Sequence, residues 1–324
     1  MSSVAEPLVI SFEGRPIALQ TGQTVLAGLE AAGEAVETSC RSGVCQSCLM
    51  QAVEGAPPKR SQVGLSAAQV SQGLFMACVC MPEGPLAVTR SGRADARVQA
   101  TVESLDRISD TVLRVRLMPL SDFPFRPGQF IRLITEDRLI RSYSIASTPS
   151  QGPLVELHVR LIPGGRMSSR LAHETALGDR LVMSGPSGGC YYDGIDPDRP
   201  LVLAGVGTGL APLWGVLNDA LARGHRGPIV VYHGALDPAG LYLRDELRAL
   251  EKAHSTVRYC PCVRDGGDPA TGDLISTVAA DPTLKRAAVF LCGDAPLVER
   301  LRRTLFLAGA RLSDIRADSF AAAA

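Results

Sequence analysis

Four cysteines constrain this chain more than any other feature of its sequence. Cys40, Cys45 and Cys48 follow the spacing C-x4-C-x2-C, and Cys78 comes after 29 further residues. A loop that short has to turn tightly to bring three thiols together, and a distant segment has to return with the fourth. Ser42, Gly43 and Ser47 keep the loop small, so backbone N–H groups can approach sulfur. Five of the nine cysteines lie within residues 40–80, and all five histidines lie outside that stretch. A centre built from this segment therefore has thiolates and no imidazole of its own. That excludes a Rieske centre and a Cys/His zinc finger.

The spacing is that of a plant-type 2Fe–2S site, with Cys40, Cys45, Cys48 and Cys78 as the ligands. The alternative is a structural four-cysteine zinc site, but such sites usually carry two C-x2-C pairs and only one is present. Cys80 is then a packed free thiol. The odd cysteine count speaks against a disulfide framework. The formal net charge is zero, which argues against holding a polyanion by charge alone, so no nucleic-acid partner is expected. No apolar run reaches the length of a membrane span and the N-terminus lacks a secretory pattern, so a cytoplasmic protein is expected.

The chain reads as three parts. Residues 8–12, 15–20 and 49–53 read as strands around a helix at 23–32. Arg90–Arg97 is a first linker candidate and Asp196–Pro200 a second. Between them, short β-like segments separated by Pro and Gly suggest a barrel or sandwich. After the second linker, strands alternate with helices, which means a parallel α/β sheet. The expected boundaries are 1–92, 96–196 and 199–324.

Three further motifs suit phosphate-bearing ligands. Arg141-Ser-Tyr143-Ser144 offers a guanidinium fork, a ring for a flat heterocycle and a hydroxyl in reach of a ring nitrogen. Gly164-Gly165-Arg166-Met167-Ser168-Ser169 opens a helix whose free N–H groups suit a phosphate. Gly205-Val-Gly207-Thr208-Gly209, closed by Pro212, lies between a strand and a helix and allows close approach of a diphosphate. There is no P-loop lysine, which disfavours ATP. Cys292-Gly293-Asp294 ends a strand at the edge where α/β ligands sit.

In this order, with Pro127-Gly-Gln129 and Ser184-Gly-Pro-Ser-Gly188, the motifs resemble the ferredoxin–NADP reductase superfamily. The domain order is similar to reductases of ring-hydroxylating dioxygenases and related monooxygenases, the naphthalene dioxygenase type above all. The resemblance implies a β-grasp ferredoxin domain, an antiparallel six-stranded FAD barrel and a parallel α/β nucleotide-binding domain. It implies flavin contacts from Arg141, Tyr143, Ser144, His158, Arg160, Gly165, Met167, Ser168 and the tail aromatic Phe320. It implies nicotinamide contacts from Gly207, Thr208, Gly209, Cys292, Gly293 and Asp294, with Ser144 and Cys292 at the reacting centre. The implied activity is an electron relay from NAD(P)H through FAD and the 2Fe–2S cluster to an oxygenase component or an intermediary ferredoxin, with the chain a monomer. A deoxysugar dehydratase or haem monooxygenase acceptor is the runner-up, and a zinc-binding nucleotide-sensing module is the alternative of another class. Residues 234–243 lack the arginine many relatives carry, and Asp237 could accept from a ribose hydroxyl, which favours NADH.

Overall fold

The computed structural model describes residues 8–38, 40–65, 67–91, 97–137, 139–265 and 273–320. They form two compact units, one before residue 97 and one spanning 97–320. Most of the first linker candidate, residues 92–96, lies outside the described residues.

The first unit is a mixed sheet with one well-packed helix. Alternation in β1 (Leu8–Phe12) turns Ile10 and Phe12 inward. β2 (Arg15–Leu19) pairs back antiparallel. α1 (Val25–Ala31) starts at Thr24, whose side chain accepts from the Ala27 N–H, and its buried Val25, Leu26 and Leu29 join the sheet core. β3 (Leu49–Glu54), α2 (Ala67–Ser71), β4 (Leu74–Met76) and β5 (Ala87–Arg90) complete the unit. The strand order is β2-β1-β5-β3-β4, with β1 and β5 parallel. This is the expected β-grasp arrangement. The short β4 and β5 were not anticipated, and Arg90 ends a strand instead of opening a linker.

The second unit begins with β6 (Arg97–Ser109), β7 (Val112–Pro119), β8 (Phe130–Ile134), β9 (Ile140–Ser144), β10 (Val155–Arg160), α3 (Arg166–His173) and β11 (Arg180–Ser187). These six strands are antiparallel in the order β10-β7-β6-β11-β8-β9. An Ile145–Leu157 bridge joins the two outer strands and closes the barrel. Val115, Leu117, Ile131, Leu157, Val159 and Met183 fill it.

The rest is β12 (Leu201–Val206), α4 (Leu210–Ala222), β13 (Ile229–Ala235), α5 (Arg244–Ala253), β14 (Val257–Val263), α6 (Leu274–Ala279), β15 (Ala288–Asp294), α7 (Ala295–Leu307) and β16 (Ile315–Phe320). The sheet is parallel, ordered β14-β13-β12-β15-β16. Near-continuous apolar runs in β12, β13 and β15 reflect helices on both faces: α4 and α5 pack on one side, α6 and α7 on the other. Strand order reverses between β12 and β15, which opens a ligand crevice at their carboxyl ends. The tail, read from the sequence only as a terminal segment, is the edge strand β16. α4 lies close to the barrel because Gly215 has no side chain. A Cβ there would sit 2.9 Å from the Ile145 carbonyl oxygen. Among the described residues no helix is long and apolar enough to cross a membrane.

Candidate functional site

The thiol loop follows α1. Cys40, Cys45, Cys48 and Cys78 lie together at one end of the first unit, and backbone donors surround them. The Cys45 N–H points at Cys40 Sγ (3.3 Å), the Ser42 N–H at the same sulfur (3.4 Å) and the Cys78 N–H at Cys48 Sγ (3.4 Å). Ser47 Oγ is 3.1 Å from Cys45 Sγ. The thiols associate two by two: hydrogen bonding from Cys45 holds Cys40 down to about 4, and Cys48 likewise lowers Cys78. Among the described residues no group of three side chains converges as a single ion would require. Two pairs suit a two-iron centre better than one tetrahedral zinc, because each iron of such a cluster takes two thiolates. Gly43 packs so closely on Val79 that a Cβ would come within 2.9 Å. Cys80 is fully buried in the core, and burial pushes its thiol up to about 11.

In the second unit, β9 presents Arg141-Ser-Tyr-Ser. Arg141 is half-buried, donates to the Ile140 carbonyl at 2.8 Å and has no ion-pair partner among the described residues. Ser142 Oγ is buried without a hydrogen-bond partner among them. An unpaired cation and an orphaned hydroxyl on one strand fit a polar, anionic ligand. The start of α3 has no side-chain cap. The Ser168 hydroxyl is spent on shaping that turn, accepting from the Ile162 N–H (3.3 Å) and donating to the Gly165 carbonyl (3.2 Å). The α3 terminus therefore offers backbone N–H groups, with Gly165 and Met167 as part of the turn's frame. Arg160 is exposed and lines a cleft of about 790 Å³ with Arg107, Thr111 and Gly164.

At the crevice, the Gly207–Gly209 turn rests directly on β15. A Cβ on Gly209 would lie 2.2 Å from the Cys292 carbonyl oxygen. Gly207 and Thr208 stay partly exposed there. The Cys292 thiol is fully buried, 3.5 Å from Cys190 Sγ, and burial raises it. Gly293 follows it at φ 150°. The Asp294 carboxylate caps α7, accepting from the Leu297 N–H at 3.3 Å. Phe320 lies opposite Asp294 on β16.

Asp318 was not singled out from the sequence. It sits opposite Cys292 on β16 and accepts from Ser144 Oγ at 3.2 Å. Burial pushes its carboxyl up to about 7. β16 thereby joins the flavin strand to the nicotinamide crevice. His158, expected as a flavin contact, lies on β10. Both ring nitrogens are engaged by protein, with Glu156 at 3.0 Å and Tyr242 at 3.1 Å, and its side chain is fully buried.

Fold and sites define an NAD(P)H-dependent oxidoreductase with three cofactor domains. Three family descriptions match in order: the 2Fe-2S iron-sulfur cluster binding domain at residues 10–83, the oxidoreductase FAD-binding domain at 99–192 and the oxidoreductase NAD-binding domain at 203–303. The chain is 32% identical to the reductase subunit of an aromatic O-demethylase from Amycolatopsis, over 90% of this chain and 91% of that protein. It is 28% identical to the reductase component of the naphthalene 1,2-dioxygenase/salicylate 5-hydroxylase systems of a Ralstonia species, over 99% and 98%. A crystal structure of an Amycolatopsis cytochrome P450 reductase matches with a TM-score of 0.70 and 29% identity, over 97% of this chain and 98% of that one. The chain belongs to the family of electron-transfer reductases that combine a plant-type ferredoxin domain with FAD- and NAD(P)H-binding domains. It binds a 2Fe–2S cluster, FAD and NAD(P)H.

Two outcomes follow for these sites. Cys80→Ser should keep its iron and Cys78→Ser should lose most of it, measured as iron per chain; the reverse pattern would refute the ligand set. For Asp318, the folded carboxyl titrates near 7 and the unfolded one near 3.8, so the folded state holds the extra proton between them. The stability this lends is complete below about pH 4 and is lost as pH rises through 7. Asp318→Asn removes that loss, so its Tm relative to the parent should climb from pH 5 to pH 8. A pH-independent difference would show that Asp318 titrates normally.

Proposed function

We infer that this chain is the reductase component of an oxygenase system, taking electrons from NADH and passing them singly to an oxygenase component or an intermediary ferredoxin. The observation that carries this reading is the joining of Ser144, on the flavin strand, to Asp318, opposite Cys292 at the dinucleotide crevice. Flavin and nicotinamide seats that share a hydrogen bond suit direct transfer between their ligands. The relatives' own systems include a P450 reductase and ring dioxygenases, so the acceptor proposed is an oxygenase as a class. A cytoplasmic location suits nine free cysteines.

When bound, FAD supplies the exchange between two-electron and one-electron chemistry, and the cluster supplies single-electron carriage. The chain's own residues do the rest. Arg141 and the α3 backbone N–H groups bind the flavin diphosphate, with Arg160 at the rim. Tyr143 would offer its ring to the flavin, and Ser144, whose proton goes to Asp318, would offer its oxygen as an acceptor. Gly207, Thr208 and Gly209 seat the nicotinamide diphosphate, and Cys292 and Gly293 wall the crevice. Asp318 holds a proton against Ser144 near neutral pH. Phe320 closes the end of β16 beside Asp294.

The nucleotide preference rests on charge. Asp237 Oδ1 accepts from the Gly240 N–H at 3.0 Å, so the loop after β13 caps itself. Arg264 beside it is neutralised by Asp265 at 3.0 Å, and the Asp265 N–H binds the Leu236 carbonyl. A 2′-phosphate would find no free basic group in 234–243. NADH should therefore give the higher kcat/KM, and Asp265→Asn, by freeing Arg264, should narrow the gap. A parent enzyme that favours NADPH would overturn this.

The relay itself is tested by dividing it. Purified protein should be red-brown, with flavin and iron–sulfur absorption. Cys45→Ser should lose most transfer to cytochrome c or an oxygenase while still reducing ferricyanide with NADH. Arg141→Ala loses a charge-assisted contact of about 1.5–3 kcal/mol, so FAD content and both activities should fall together. If Cys45→Ser keeps its FAD and loses ferricyanide reduction, the proposed order is wrong.

A further inference from the structure

A buried polar chain crosses from the barrel into the α/β half of the second unit. Arg116 Nε donates to Glu156 Oε2 at 2.7 Å from the neighbouring strand, where the two are register partners. Glu156 Oε1 meets His158 Nε2 at 3.0 Å, two residues along β10 on the same face. His158 Nδ1 meets the Tyr242 hydroxyl at 3.1 Å, across 84 residues of sequence. The Tyr242 ring stands edge-on to His233 (5.6 Å, 89°), and His233 Nδ1 is 3.5 Å from the Tyr259 hydroxyl. All of these but Arg116 are buried.

The protons can be assigned. Burial pushes His158 down, so the ring is neutral near pH 7, and hydrogen bonds from His158 and Arg116 hold the Glu156 carboxyl low against its own burial. A neutral ring beside a carboxylate carries its proton on Nε2, so Nδ1 is the acceptor and the Tyr242 O–H donates to it.

Both ends of this chain reach cofactor seats. Ala146 N–H binds the Glu156 carbonyl and Glu156 N–H binds Ser147 Oγ, so β10 is tied to the segment directly after Ser144. At the other end, His233 is the register partner of Gly205, two residues before Gly207. β10 and β13 both touch the Gly207–Gly209 turn. The segment that supplies Tyr242 is held under tension: Leu243 adopts φ 53°, a costly conformation for a branched residue.

We propose that the Tyr242–His158 hydrogen bond is a positioning latch that fixes the dinucleotide turn against the flavin barrel. Its two residues act as positioning residues, through the Gly207 turn and the segment after Ser144. This rests on the reductase reading, but its main test needs no turnover. In FAD-loaded protein without nucleotide, Tyr242→Phe keeps the ring and loses the donor. Amide hydrogen exchange should rise in peptides covering 203–211 and 144–158 and stay unchanged in β14 and in the first unit. With NADH and ferricyanide, kcat should fall about tenfold and KM by less than about twofold, because placement is altered and nucleotide contacts are not. His158→Leu removes the acceptor from the other side of the same bond, while Arg116 still pairs with Glu156. It should reproduce the exchange pattern, and it decides the matter should Tyr242→Phe fail to fold. A uniform rise in exchange with a lower Tm and an unchanged kcat would make the contact merely structural and overturn the latch. A parent protein that holds FAD yet is not reduced by NADH would overturn the reductase reading, and the exchange map would still judge the latch.

Discussion

The backbone contact at Gly209 is the constraint on which the nucleotide end of this chain depends. With a would-be Cβ only 2.2 Å from the Cys292 carbonyl, no other residue lets the turn rest on β15 without a backbone shift. That contact places the turn over the point where strand order reverses. β15 then carries β16 in parallel register, and β16 carries Asp318 to Ser144. Gly215 repeats the device where α4 meets the barrel. Two hydrogens in place of two side chains therefore hold a dinucleotide turn, a buried thiol, a carboxyl and a flavin strand in one neighbourhood.

Apolar burial supplies most of the stability of both units, but it does not set their geometry. Surface ion pairs such as Arg226–Asp198 contribute about 0–1 kcal/mol each and are screened by salt. The buried Glu156–His158–Tyr242 chain behaves differently. Removing one member leaves a desolvated partner unsatisfied, at a cost of about 1–3 kcal/mol. Such a network tolerates one arrangement and rejects near neighbours, whereas an apolar surface would tolerate sliding. The molecule uses greasy surface where two layers need only stay together, and polar pairing where relative position matters.

What was legible in the sequence was local. The cysteine spacing and the Gly207 turn are short-range patterns whose chemistry needs neighbours within a few residues. β12, β13 and β15 announced themselves as apolar runs. β16 did not, because an edge strand buries little, and Ile-Arg-Ala-Asp-Ser-Phe alternates too weakly to stand out. Asp318 was hidden because its partner Ser144 lies 174 residues away. The partners of the His158 ring nitrogens were likewise hidden, because Tyr242 lies 84 residues away. Asp294 could have been read as a cap: it precedes Ala-Pro-Leu, with Pro in the first helical turn and its carboxylate on the Leu297 N–H.

The split into two compact units follows a difference between the two kinds of transfer. Moving a hydride requires donor and acceptor atoms in near-contact, and a displacement of about 1 Å can cost on the order of a hundredfold in rate. The flavin and nicotinamide seats accordingly share one unit, joined by hydrogen bonds and backbone contacts that leave little freedom. A single electron needs proximity but no aligned bond, so its carrier can reside on a unit with its own core. The thiol loop is anchored in that core: Cys48 and Cys78 belong to the same buried cluster as Phe75, Met50 and Leu29. Rigidity is concentrated where atoms must be aligned, and separate folding is permitted where only an electron must pass.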